Sequence, residues 1–304
     1  MEPLLTAIGI DNRSRRLLTF RKMMERTAGL TPILCAKLLR KVDARLIELL
    51  SVLTPEEWSL QTIAGSWTVR EVAAHLLDTA TRKLSLVRDS CSVDAVDIRS
   101  QEDLAALVHR LNREGVAVYR RLSPSLLIDL MEVASLQSAL FHESLDPFAS
   151  AAFPVSWAGE EVSLNWFDTA RELTERWHHQ QQIRLATNRP GIMTPELYYP
   201  VLDCFLRGLP HHFQSVEAPQ GTVLSVEIVG PCGGQWLLAH EGSNWRFVDR
   251  PSAQSATSRV SIPQELAWRI FTKGISRDSA RAAVQIEGCQ TLGEKVLGLT
   301  AIVA

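Results

Sequence analysis

The sequence predicts an α plus α+β protein, a four-helix bundle followed by a smaller α+β domain, and three observations carry that expectation. Apolar residues recur at helical spacing through most of positions 31–213. After Pro219-Gln220-Gly221 the period changes to short alternating runs of β-formers bounded by Gly, Pro and Asn. The 304 residues also exceed the roughly 250 to 300 at which a single core usually stops growing, which favours two domains.

Residues 1–28 hold Arg13, Arg15, Arg16, Arg21, Lys22 and Arg26 with little apolar periodicity, so a flexible N-terminal arm is expected there. Residues 29–218 read as the helical bundle. Its first helix carries Leu34, Leu38, Leu39, Val42, Leu46, Leu49 and Leu50, and Thr31-Pro32 supplies a cap and first turn. Thr54-Pro55-Glu56-Glu57 predicts a short capped turn in the connection that ends at Gly65-Ser66. The second helix then places Val69, Val72, Ala73, Leu76, Leu77, Ala80, Leu84 and Val87 on an apolar stripe, with His75 beside it and Arg70, Arg82 and Lys83 on the charged face.

A third helix is expected over about 102–122, and Ser123-Pro124 starts a shorter one through Leu126, Leu127, Leu130 and Met131. Pro147, Pro154 and Gly159, among Phe148, Phe153 and Trp157, break the rhythm between 141 and 162, which reads as a long ordered loop walling a pocket. Helices over about 163–187 and 194–213 follow. The α+β module, residues 219–304, shows strand patterns at 222–229, 235–239, 245–248 and 259–262. A helix after Pro263, a strand over 282–286 and a last helix through Leu292, Val296 and Leu299 complete it.

Composition excludes more than it identifies. Hydrophobic and charged fractions of 46% and 22% belong to an ordinary globular protein. A formal charge of -2 offers no global pull toward nucleic acid or anionic lipid. No apolar run nears the roughly 20 residues of a membrane span, and the first residues lack an unbroken hydrophobic signal core, so the expected location is cytoplasmic. The five cysteines form no C-x-x-C pair and read as reduced thiols.

The residues that suggest chemistry lie on two of the helices. Glu175 and His179 are four apart, so both side chains leave one helical face about a turn apart. Trp166, Ala170, Leu173 and Trp177 put the apolar stripe near the same side, while Asp168, Arg171 and Glu172 are expected toward solvent. An imidazole from His75 facing this pair would match metal sites in bundle cores, leaving an open position for water or substrate. Zinc is the leading ion, although iron(II), nickel and manganese suit the same donors. His178 and Gln182 are candidates to hydrogen-bond the ligands or meet substrate. His109, His142, His240 and the pair His211-His212 read as structural or exposed, and no residue is singled out as a catalytic base.

The runs G-S-W-T-V-R-E-V-A-A-H-L at 65–76 and A-R-E-L-T-E-R-W-H-H-Q-Q-Q-I-R at 170–184 resemble the DinB-like superfamily, specifically its mycothiol-dependent maleylpyruvate isomerase branch. G-G-Q-W-L-L at 233–238, V-S-I-P-Q-E-L-A-W-R-I-F-T at 260–272 and I-E-G-C-Q-T-L at 286–292 are similar to the sterol-carrier-like module of those proteins, with Cys289 where Asp is usual. The resemblance implies that His75, Glu175 and His179 bind zinc or another divalent metal. It further implies a low-molecular-weight thiol such as mycothiol, delivered as a thiolate to a small electrophilic substrate for isomerisation or thiol transfer. Such a chain acts on small molecules without nucleic acid or membrane partners, as a monomer or homodimer. A non-catalytic small-molecule or lipid carrier, with Trp236, Trp245 and Trp268 around an apolar ligand, and a metal-dependent hydrolase remain the alternatives.

Overall fold

The computed structural model describes residues 31–91, 100–249 and 256–302, so the arm expected at 1–28 lies outside the described residues. The helical part is built from α1 (Ala36–Ser51), α2 (Val69–Lys83), α3 (Gln101–Tyr119), α4 (Pro124–Ser144) and α5 (Asn165–Thr187). Helix α1 packs on α4 and α5, and α2 packs on α4 and α5, which makes these four the bundle; α3 lies against α2. Two shorter helices, α6 (Pro195–Leu206) and α7 (Leu209–His212), continue the chain along α5 toward the sheet.

Local chemistry explains where α2, the helix that carries His75, begins. Thr68 caps α2: its hydroxyl accepts from the Glu71 backbone N–H at 3.4 Å, and the Glu71 carboxylate accepts the Thr68 N–H at 3.0 Å. That reciprocal box fixes the start of the helix seven residues before His75. Thr54 and Glu57 form a similar reciprocal pair in the expected capped turn. A single π-type turn, Leu84–Arg88, follows α2.

Four sequence expectations change. Helix α1 begins at Ala36; residues 31–35 take no regular secondary structure, and the Thr31 carbonyl accepts instead from Arg207 Nη2 at 2.7 Å. Helix α4 is not short. Its buried face beyond Met131 is lined by Ala134, Ser135, Ser138, Ala139 and His142, small or polar residues that give no apolar stripe in the sequence. The helix expected over 194–213 breaks at Arg207-Gly208, with Pro210 inside α7. A helix, α9 (Arg277–Ala283), stands where none was expected; it starts at Ser276, whose hydroxyl accepts the Ser279 N–H at 3.2 Å, and its polar composition hides it from periodicity.

The remaining elements are β1 (Val223–Val229), β2 (Gly234–Glu241), β3 (Asn244–Phe247), β4 (Ser258–Pro263), α8 (Gln264–Phe271), β5 (Gln285–Gly288) and α10 (Gln290–Val296). They form a mixed sheet of order β3-β2-β1-β4-β5, in which β1 and β4 are parallel and the other neighbours antiparallel. At Gly288, φ is +77° and a Cβ would stand 2.3 Å from the Thr257 carbonyl oxygen, so glycine is required there.

One hydrophobic cluster runs from α1 and α5 through α6 into the sheet and α8. Its seam is aromatic. Trp177 of α5 stacks on Tyr198 of α6 with centroids 4.2 Å apart and meets Trp268 of α8 edge-on at 6.2 Å. The Tyr198 hydroxyl donates to the Gln264 carbonyl at 2.7 Å and accepts the Trp268 N–H at 3.2 Å. Helix α5 is thereby locked on the face opposite Glu175 and His179. Trp236, Trp245 and Trp268 are all core residues, 3, 3 and 2% exposed, and the first two donate their indole N–H to Asp203 and to the Val216 carbonyl.

Candidate metal centre

His75 comes from the middle of α2 and Glu175 and His179 from consecutive turns of α5. Their donor atoms all lie within 4.8 Å of one another. His75 Nε2 is 3.0 Å and His179 Nε2 3.2 Å from the same carboxylate oxygen, Glu175 Oε1. His75 is 2% and His179 7% exposed, whereas the Glu175 side chain keeps 25% exposure.

Hydrogen bonds to the outer nitrogens decide which atoms can bind an ion. His179 Nδ1 is 2.7 Å from Gln182 Oε1, an acceptor, so Nδ1 carries the proton. The neutral imidazole then directs its Nε2 lone pair at the carboxylate 3.2 Å away. Two acceptors at that distance repel unless a cation sits with them, either a proton or a metal ion. His75 differs, because its Nδ1 is buried without a hydrogen-bond partner. Burial, partly opposed by the contact with Glu175, lowers the His75 pKa below the ordinary imidazole value, which favours the neutral form that binds metal. Burial alone would raise the Glu175 pKa, but its close contacts with His179 and His75 outweigh it and hold the carboxyl well below the usual range. Two neutral nitrogens and one carboxylate oxygen, converging in a largely dry site, fit a divalent ion with a position left over.

The two accessory candidates divide. Gln182 touches a ligand directly. The His178 ring lies tilted against that of His179 with centroids 4.0 Å apart, and its Nδ1–H donates to the Thr174 carbonyl at 2.9 Å. Burial first, then the neighbouring His179, pushes the His178 pKa down to about 3, too low for a base poised near neutrality.

Trp67 belongs to the site although the sequence reading gave it no role. Its ring lies 4.9 Å from the His75 ring and 6.4 Å from that of His179, so it walls the ligands from the loop side. The signal was its place two residues before the first residue of α2, beside the Thr68 cap. His142 is buried and pairs with Thr169 Oγ1 at 3.0 Å, and His109 is exposed.

Asp168 and Glu172 do not face solvent: they are 3 and 5% exposed, and Lys83, expected on the charged face, is 8% exposed. Lys83 Nζ lies 2.8 Å from Asp168 and 3.6 Å from Glu172; Arg171 pairs with Asp168 at 2.7 Å; Arg176 bridges Glu172 at 3.1 Å, Asp43 and Ser138. A helical wheel of α5 alone assigns these charges to water. Burial is tolerated because α2 supplies Lys83, α1 Asp43 and α4 the Ser138 hydroxyl, alongside Arg171 and Arg176 of α5 itself, so that each charge meets an opposite charge. Lys83 and Arg176 keep Glu172 ionised against the cost of burial, with a pKa of about 2, while burial outweighs Arg176 at Asp43 and raises its pKa to about 6.

A pocket of about 410 Å³ lies elsewhere, lined by Trp157, His211, His212, Lys273 and Leu299 among others, and includes none of His75, Glu175 and His179. The 145–164 connection thus walls this pocket through Trp157. Among the described residues no helix is long and apolar enough to cross a membrane.

Residues 39–184 match the family described as mycothiol maleylpyruvate isomerase N-terminal domain. A solved structure of a histidine-to-alanine mutant of the mycothiol-dependent maleylpyruvate isomerase is similar over 83% of this chain and 91% of its own, with TM-score 0.50 and 14% identity. A second structure of the mycothiol-dependent maleylpyruvate isomerase covers 77% of this chain and 86% of its own at TM-score 0.47 and 14% identity. At 14% identity the likeness to the first of these is one of fold. No curated protein sequence is significantly similar to the chain.

Proposed function

Residues 39–184 belong to the mycothiol maleylpyruvate isomerase N-terminal domain family, and on that premise we propose a thiol-dependent enzyme. It uses a low-molecular-weight thiol such as mycothiol to isomerise a small electrophilic substrate or to transfer the thiol to it. A divalent ion, zinc foremost, is held by His75, Glu175 and His179. The matched segment contains all three ligands, and residues 219–304 form the accompanying sterol-carrier-like module.

The observation that carries the reading is the convergence of two imidazole Nε2 atoms on one carboxylate oxygen at 3.0 and 3.2 Å, with His179 Nδ1 already committed to Gln182. When bound, the metal supplies a Lewis-acid centre that lowers the pKa of a coordinated thiol by several units. The protein does the rest. Gln182 sets the tautomer and orientation of His179, the ionised Glu175 offsets part of the ion's charge, and Trp67 with the buried imidazoles keeps water from the ligands. In the isomerisation a thiolate adds to a conjugated double bond, the π pair moves to the adjoining carbonyl, the new single bond rotates, and the carbon–sulfur bond breaks to return the thiolate.

The alternatives draw less support. Hydrolysis needs a base near neutrality, and His178, the further imidazole at the site, has been driven to about 3. The carrier reading relied on tryptophans that instead fill the core.

Metal analysis and cobalt substitution test the proposal. The reconstituted chain should bind one divalent ion, and a small thiol should add thiolate-to-cobalt charge-transfer absorption. His179→Ala should abolish tight binding while the far-ultraviolet dichroism is kept. A reconstituted protein that takes up no ion, or a cobalt spectrum indifferent to thiol, would sink it.

A further inference from the structure

The pocket beside Trp157 takes no part in the proposed reaction, and its walls come from both halves of the chain. Trp157, His212 and Gln214 stand on the helical side; Lys273, Leu299 and Thr300 stand on the side of the α+β module. Its volume of about 410 Å³ falls in the range of small-molecule sites. The apolar part is firmly built. Phe167 of α5 backs the Trp157 ring edge-on at 6.0 Å, and Leu299 is 2% exposed. Gly208 lets the two walls close up, since a Cβ there would stand 3.0 Å from Leu299 Cδ1 and 3.2 Å from the Trp157 ring.

The polar part has one sign. No Asp or Glu lines the pocket. Among the described residues no acid pairs with the Lys273 ammonium, and the Trp157 indole N–H, the Gln214 side-chain amide and the Thr300 hydroxyl make no hydrogen bond. Lys273 also occupies a position that favours glycine. It ends α8 with φ of +58°, its N–H on the Ile270 carbonyl at 3.4 Å and that of Gly274 on the Arg269 carbonyl at 2.7 Å. A left-handed lysine is backbone strain of the kind that accompanies binding sites, and here it holds a cation at the pocket.

The surroundings reinforce that sign. His212 gives its Nε2–H to the Lys295 carbonyl at 2.7 Å, and burial first, then the charges of Lys295 and Arg277, lower its pKa below the ordinary imidazole value. Of the acids beside these cations, Glu294 is held by Arg281 at 2.8 Å and Asp278 is exposed in the first turn of α9. A cationic ligand would be repelled, and a wholly apolar one would cover donors it cannot satisfy.

We propose that this pocket is a second ligand site, separate from the metal centre, which takes a small aromatic carboxylate with its ring against Trp157 and its carboxylate on the Lys273 ammonium.

Calorimetric titration of the metal-free full chain with naphthalene-2-carboxylate tests the site without an ion for the carboxylate to ligate. One-to-one binding is expected, with the neutral naphthalene-2-carboxamide at least about 10-fold weaker. Lys273→Gln should remove that preference while leaving the affinity for the amide unchanged. Trp157→Ala should weaken both ligands about 10-fold. Should that variant fail to fold, Thr300→Trp fills the cavity from the other wall and should abolish binding, with the far-ultraviolet dichroism kept. No saturation up to about 5 mM would overturn the proposal, as would equal affinity for the two ligands or a preference that survives Lys273→Gln. Binding that appears only after zinc is added would assign the carboxylate to the metal centre and overturn it as well.

Discussion

Replacing Gln182 by Ala removes the acceptor 2.7 Å from His179 Nδ1, at a site where both residues are less than a tenth exposed. In the metal-free protein the loss is small, because the imidazole can shift its proton to Nε2 and donate it to Glu175 Oε1 at 3.2 Å. Metal binding closes that escape. Nε2 must then offer its lone pair, the proton must sit on Nδ1, and a buried N–H without an acceptor costs about 1–3 kcal/mol. The cost falls on the bound state alone, so it appears as affinity: the Kd for zinc should rise roughly 10- to 100-fold, which is about 1.4 to 2.8 kcal/mol. Competition with a chromophoric chelator measures that change, and the melting temperature of the metal-free variant should stay near that of the parent. Gln182→Glu keeps an acceptor in place and should restore tight binding. A Gln182→Ala protein whose Kd lies within about two-fold of the parent would refute the tautomer argument. If the parent itself binds no metal, the failure lies with the proposed function instead.

The buried charge network and the last helix supply further tests. Glu172 has a folded pKa of about 2 against an ordinary 4.5, so the stability it contributes is present above pH 4.5 and lost as pH falls toward 2. Glu172→Gln leaves Lys83 and Arg176 short of a partner and should cost about 3–5 kcal/mol at pH 7, and denaturant midpoints should show the gap narrowing below pH 4.5; a constant gap would contradict the pairing. Cys289 occupies the N-cap of α10 with extended φ and ψ of -72° and 102° but makes no side-chain cap. Cys289→Asp should therefore stabilise the chain by about 1 kcal/mol, roughly 2 °C in melting temperature, and an unchanged or lower value would show that the backbone there cannot use the cap.

The sequence by itself determined the elements whose signal is local and periodic. The Thr68–Glu71 cap, the β-rich runs after Gly221 and the Glu175–His179 spacing each depend on residues within a few positions of one another, and a helix or strand reports such patterns wherever it is placed. Tertiary structure alone decided what depends on a partner from another element. Lys83, Asp168 and Glu172 look solvated until α1, α2 and α4 gather around α5: Arg171 and Arg176 stand three and four residues from the acids they pair with, as on any exposed helix, whereas the Lys83 and Asp43 that complete the buried network come from other helices. Helix α4 misled for the related reason that its inward face is small and polar while its large apolar residues point out, so periodicity followed the wrong side. Placing His75 opposite Glu175 required the crossing of two helices a hundred residues apart in sequence, which no local pattern encodes; so did the fact that Gln182, rather than its neighbours Gln180 and Gln181, holds the ligand.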